Sequence, residues 1–111
     1  MTLTIKNIVP IIKANWVGDN DVAIDYISID SRSLQNDENT LFFAFSGPNH
    51  DGHQYIEELI QKGVQSFVVT KIPENLESKA NFLIVENTLD AFQKFAAFYR
   101  SLFDFPIIGI T

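Results

Sequence analysis

Leu41-Phe42-Phe43-Ala44-Phe45, then Ile56, Leu59, Ile60 and Val64, then Ser66-Phe67-Val68-Val69-Thr70: the stretch from 41 to 70 decides the fold. A strand with one wet face alternates apolar and polar residues, so a short unbroken apolar run marks a strand covered on both faces. Between the two runs, the four aliphatic residues recur at helical spacing and form one stripe, with Glu57, Glu58 and Gln61 outside it. Asp51 with Gln54 three residues on resembles a capping box with Asp in place of Ser or Thr, and Gly63 is a natural C-terminal stop. Strand, helix, strand is a βαβ unit, so the sheet is expected to be at least partly parallel.

Working outward, the polar segment from Lys71 to Asn81, containing Pro73, reads as a surface connection, and Phe82-Leu83-Ile84-Val85 as another buried strand. A long helix follows from Thr88 to about residue 104. Thr88 is its expected cap, Asp90 suits its positive end, and Leu89, Phe92, Phe95, Ala96, Tyr99 and Phe103 form the apolar side, with Phe98 extending it. Upstream, residues 23–31 read as one β-branched, partly alternating strand. Ile5, Ile8, Val9 and Ile12 have helical spacing. Thr4 is a candidate cap, but Pro10 would then stand in the helix interior at a cost of about 3 kcal/mol, whereas Asn7 as cap would put Pro10 in the first turn. The expected class is α/β: a small mixed or partly parallel sheet flanked by about three helices.

The 111 residues suit one core. Ten Phe residues are many for this length, so aromatic burial should dominate it. No apolar run approaches the roughly 20 residues that span a bilayer, and the first residues lack the basic start and apolar stretch of a signal peptide. The absence of cysteine excludes disulfides and thiolate metal sites and suits the cytoplasm. A net charge of −6 with no basic cluster argues against nucleic acid as a main partner. The last run, Phe105-Pro106-Ile107-Ile108-Gly109-Ile110-Thr111, reads as a strand about to feed a loop, the way P-loop nucleotide sites begin. The expected organisation is therefore a leading domain over residues 1–105 and the first strand of a second domain over 106–111.

Open α/β sheets place ligands at the exits of their strands, and two exit loops carry polar chemistry. In Asp30-Ser31-Arg32, strand periodicity turns Ile29 and Ser31 to one side, an apolar contact beside a hydroxyl that suits a small planar ring with polar edges. From these residues alone, the plainer reading is preferred: Ile29 in the core and Ser31 opening a turn. Arg32 either joins an exposed pair with Asp30 or meets a phosphate as a multi-donor fork. In the second loop, Gly47 and Gly52 permit close backbone approach, Pro48 stiffens the chain, Asn49 and His50 can read the edge of a heterocycle, and a helix start at Gly52 would offer free N–H groups. His50, His53 and Asp51 do not make a zinc site, which needs three or four convergent ligands, and Asp51 as a helix cap is the stronger reading. There is no Cys, no Gly-x-Ser-x-Gly elbow and no complete catalytic constellation, so this chain is expected to bind rather than to catalyse.

Ile29-Asp30-Ser31-Arg32-Ser33, Leu41-Phe42-Phe43-Ala44-Phe45-Ser46-Gly47 and Asp51-Gly52-His53-Gln54-Tyr55-Ile56, in this order and separation, resemble the N-terminal domain of the Mur ligases. The resemblance runs over essentially the whole chain. It departs at Asn39-Thr40, where a Gly-Asp often precedes the Leu-Phe strand. It implies a cytoplasmic, ATP-dependent amide ligase of peptidoglycan synthesis, whose N-terminal domain holds the UDP end of a UDP-N-acetylmuramoyl-peptide. A central domain would bind ATP and magnesium, and a C-terminal domain the incoming amino acid or dipeptide. Uridine contacts carry over onto Ile29, Ser31, Pro48, Asn49 and His50, with Arg32 and Gly47 as further candidates. Residues 49–53 and the ending are most similar to members that add D-alanyl-D-alanine to the tripeptide, in a form fused to an alanine racemase. Members adding the third stem-peptide residue have a similar domain and are the alternative, as is a stand-alone nucleotide-binding module.

Overall fold

A computed structural model describes residues 3–29, 39–47, 50–51 and 55–103, with the backbone alone at 46–47, 50–51 and 101–103. In chain order the elements are β1 (Leu3–Thr4), α1 (Ile5–Ile12), β2 (Asn15–Val17), β3 (Ala23–Ile24), β4 (Tyr26–Ser28), β5 (Thr40–Phe43), β6 (Ser46–Gly47), β7 (His50–Asp51), α2 (Ile56–Gln61), β8 (Ser66–Val69), β9 (Asn81–Ile84) and α3 (Thr88–Phe103). The main sheet has the order β2-β9-β8-β5-β4. Strands β4, β5, β8 and β9 run parallel, and β2 is antiparallel at one edge. The expected class stands: α/β, with a mixed sheet and three helices.

The unbroken apolar runs explain the layering. Successive side chains of a strand point to opposite faces, so Phe42 and Phe43 cannot share a core. Leu41, Phe43, Val68 and Leu83 pack with α1 and α3 on one face. Phe42, Ala44, Phe67, Val69 and Phe82 pack with Ile56 and Leu59 of α2 on the other. Aromatic pairs fill both layers. Phe67 stacks on Phe82 at 5.7 Å on the α2 side, and Phe95 of α3 lies 6.4 Å from Phe43 on the other.

Helix α1 starts at Ile5, so Thr4, not Asn7, is its cap. Thr4 Oγ1 accepts from Asn7 N–H (3.4 Å), and Asn7 Oδ1 accepts from Thr4 N–H (3.0 Å). Two further N–H groups of the first turn are satisfied from the next loop: Ile5 donates to Val22 O (3.1 Å) and Lys6 to Asp21 Oδ1 (2.9 Å). Pro10 stands inside the helix. Burial of Ile5, Ile8 and Ile12 holds the helix despite the missing donor. The end closes at Lys13 in the left-handed conformation (φ 56), and Ala14 N–H returns to Val9 O at 3.1 Å.

Four expectations are corrected. The single strand over 23–31 is two, because β3 pairs with β1 while β4 joins the main sheet, with a break at Asp25. Asp51 does not cap α2. It pairs with Ser46 in the β6–β7 hairpin, and α2 begins at Ile56 after Tyr55; Gly52 lies outside the described residues. Asn87 rather than Thr88 caps α3, accepting from Asp90 N–H at 2.9 Å. Leu89 leaves the apolar side and is 54% exposed, whereas Ala91 and Phe95 are buried. Gly63 does follow α2 as its stop, with φ 104. The expected boundary near 105 and the strand at 106–111 lie outside the described residues.

Candidate functional site

The four parallel strands end on one rim, where chain exits in parallel sheets build ligand sites. Ile29 leaves β4 there with 36% of its surface exposed. The preferred reading of Ile29 as core is thereby overturned. Its neighbour Ser28 is buried and lies in register with Phe42 of β5.

Beyond β5 the chain is held at two points before it forms the hairpin. Ala44 N–H donates to Val68 O of β8 at 2.9 Å, and the Phe45 ring meets Phe92 of α3 edge-on at 5.8 Å. Strands β6 and β7 then pair Gly47 with His50 and Ser46 with Asp51. Ile29, Gly47 and His50 therefore belong to the exits of neighbouring strands β4 and β5. Ser31, Arg32, Pro48 and Asn49 lie outside the described residues.

Farther along the same rim, where β8 and β9 end and β2 begins, is a cleft of 590 Å3 with Lys13, Asn15, Thr70, Asn87 and Asp90 on its walls. Sequence reasoning did not single it out. The signal that marks it is the polar residues beyond each buried run, Thr70 after Val69 and Glu86-Asn87 after Val85. Its Asp90–Lys94 pair, at 3.0 Å and exposed, is a surface contact of small energetic weight. A second cleft, of 680 Å3, opens at the opposite, amino end of the strands around Asn81. Neither cleft is lined by Ile29, Gly47 or His50. The second lies on the rim opposite the strand exits. Among the described residues no group of three His, Asp or Glu side chains converges to hold a metal ion. No helix among them is long and apolar enough to cross a membrane.

The architecture, with helices on both faces of a mostly parallel sheet, defines a three-layer α/β domain. Residues 23–100 match the model described as the Mur ligase family, catalytic domain, and the chain belongs to the Mur ligase family. It is 41% identical over 92 residues to the UDP-N-acetylmuramoyl-tripeptide–D-alanyl-D-alanine ligase of Synechocystis sp., covering 82% of this chain and 20% of that protein. It is 34% identical over 96 residues to the UDP-N-acetylmuramoyl-L-alanyl-D-glutamate–2,6-diaminopimelate ligase of Bacteroides thetaiotaomicron, covering 85% and 20%. Among solved structures, MurF from Acinetobacter baumannii superposes with a TM-score of 0.80 at 20% identity, over 92% of this chain and 22% of that one. That likeness concerns the fold. The chain spans about a fifth of the length of the curated relatives it matches.

Proposed function

We propose that this chain is the UDP-substrate-binding N-terminal domain of a cytoplasmic ligase that adds D-alanyl-D-alanine to UDP-N-acetylmuramoyl-tripeptide. The observation that carries the reading is the 41% identity to the Synechocystis ligase over 82% of the chain. The reading that this is a third-residue ligase rests on the lower 34% identity to the Bacteroides enzyme. In the proposed parent, residues 106–111 begin a central ATP-binding domain, and an alanine racemase domain follows farther on.

The proposed uridine site comprises Ile29, Ser31, Arg32, Gly47, Pro48, Asn49 and His50. Its support in the fold is the exposure of Ile29 and the hairpin pairing of Gly47 with His50, both on the carboxyl rim. Ile29 offers an apolar face to the uracil ring. Ser31, Asn49 and His50 supply hydrogen bonds to its polar edges, and Arg32 meets the diphosphate as a charged fork. In this reading ATP and magnesium are held by the rest of the parent. The domain's part in ligation is to bind and orient the nucleotide end of the substrate.

Two assays test the reading. Full-length protein from the same gene, given ATP, magnesium, UDP-N-acetylmuramoyl-tripeptide and D-alanyl-D-alanine, should release phosphate and form the pentapeptide. Phosphate release only with the dipeptide precursor and a diamino acid would move the chain to the third-residue branch. Release with neither substrate pair would end the ligase reading.

A further inference from the structure

We infer that Phe92, on the second turn of α3, is a positioning residue for the nucleotide loop. This rests on the proposed uridine site. The observation is an aromatic clamp with Phe92 at its centre. Its ring meets Phe43 edge-on at 5.3 Å (84°) and Phe45 edge-on at 5.8 Å (84°). Phe43 is the last residue of β5 and fully buried, while Phe45 is the residue immediately before β6 and only half-buried. One ring on α3 therefore holds both the end of the strand and the root of the hairpin that carries Gly47 and His50.

The chain needs such a hold at this point. After Phe43 the chain reaches β8 through Ala44 N–H to Val68 O at 2.9 Å, and Phe45 N–H folds back onto Phe43 O at 3.1 Å. The direction in which the chain leaves Phe45 is thus fixed on the backbone side by a local turn and on the side-chain side by Phe92. Edge-to-face rings prefer a narrow range of angle, so the contact restrains orientation as well as distance. Phe95, one turn on, contacts Phe43 and Tyr99, with no contact to the hairpin root among the aromatic pairs of the described residues. Phe92 and Phe95 lie on the same helix and in the same core, and they differ in what a loss at each should do.

The test compares Phe92→Ala, Phe92→Leu and Phe95→Ala in this chain, titrated with UDP-N-acetylmuramoyl-tripeptide, with a melting curve for each. Phe92→Ala should weaken binding about tenfold and shift the amide resonances of Gly47 and His50 in the free protein. Phe92→Leu, which fills space without the ring geometry, should show the same amide shifts and an intermediate loss of affinity. Phe95→Ala should lower Tm more than either, yet bind like the wild type below its own transition. If Phe92→Ala does not fold, Phe92→Leu carries the comparison. Wild-type affinity in both Phe92 variants, with Tm lowered, would reduce Phe92 to core packing and leave the uridine site standing. A wild-type chain that fails to bind would instead bring down the site itself, and the positioning role with it.

Discussion

Replacing Gly18 by alanine should break a small polar lock that ties the antiparallel edge strand to the rest of the sheet. Gly18 follows β2 with φ 147, a conformation that side-chain-bearing residues rarely adopt. An added Cβ would overlap Asn81 Oδ1 and come within 3.1 Å of Trp16 Nε1. Asn81 is 3% exposed; its Oδ1 accepts from Trp16 Nε1 (3.2 Å) and its Nδ2 donates to Asn20 O (2.6 Å). To admit the methyl group the carboxamide must turn away and forfeit both bonds. Backbone strain of about 1–2 kcal/mol and two hydrogen bonds of about 0.5–1.5 kcal/mol each sum to roughly 2–5 kcal/mol. A central loss of about 3 kcal/mol corresponds to a fall in Tm of about 12–24 °C for a domain of this size. Urea unfolding followed by the emission of Trp16, the sole tryptophan, reads both the stability and the indole environment. In an Asn81→Ala background the same Gly18 substitution should cost only the strain, about 1–2 kcal/mol. A loss below about 0.5 kcal/mol in the wild-type background, with unchanged emission, would refute the lock.

Other expectations are simpler. Phe95→Ala should cost about 3–5 kcal/mol in urea unfolding, because its fully buried ring leaves a cavity between α3 and the sheet. Lys13→Gly should stabilise by up to about 1 kcal/mol, since glycine takes the left-handed C-terminal position of α1 without a Cβ penalty. Ile29→Ala should change stability by less than about 0.5 kcal/mol, the usual range at an exposed position, while measurably weakening the UDP-peptide in a calorimetric titration. Ser31→Ala should weaken the same ligand by about 0.5–1.5 kcal/mol, one hydrogen bond, without unfolding the domain.

The central layers were readable because their signal is strong and local. Three apolar runs of three to five residues became β5, β8 and β9, and an aliphatic stripe became α2. What escaped was decided by tertiary pairing. Asn15–Val17 carries no alternation and is half-exposed, yet it forms β2 because β9 offers an open edge. Tyr26 and Ala23 are separated by one break at Asp25, and only the competing partners β1 and β5 reveal that they serve different sheets. Asp51 has the chemistry of a cap, but the pairing of β6 with β7 sets it opposite Ser46. Asn87 and Thr88 are both good caps, and propensity alone does not rank adjacent candidates. For the site, periodicity turned Ile29 to the same side as Ser31, and the plainer reading of Ile29 as core failed because the residue leaves β4 with 36% of its surface exposed. The anchoring of the hairpin root by Phe92 was invisible, because the contact joins residues far apart in the chain at no recognisable spacing.

The account stands or falls on whether the exits of β4 and β5 form one pocket for a uracil nucleotide. The direct measurement is a titration of the isotope-labelled chain with UDP-N-acetylmuramoyl-tripeptide, followed at every backbone amide. Shifts clustered at Ile29, Ser31, Gly47, Asn49 and His50, reproduced by UDP alone, are the predicted result. Shifts confined to the cleft around Lys13 and Asn87, or none anywhere at millimolar ligand, would contradict it.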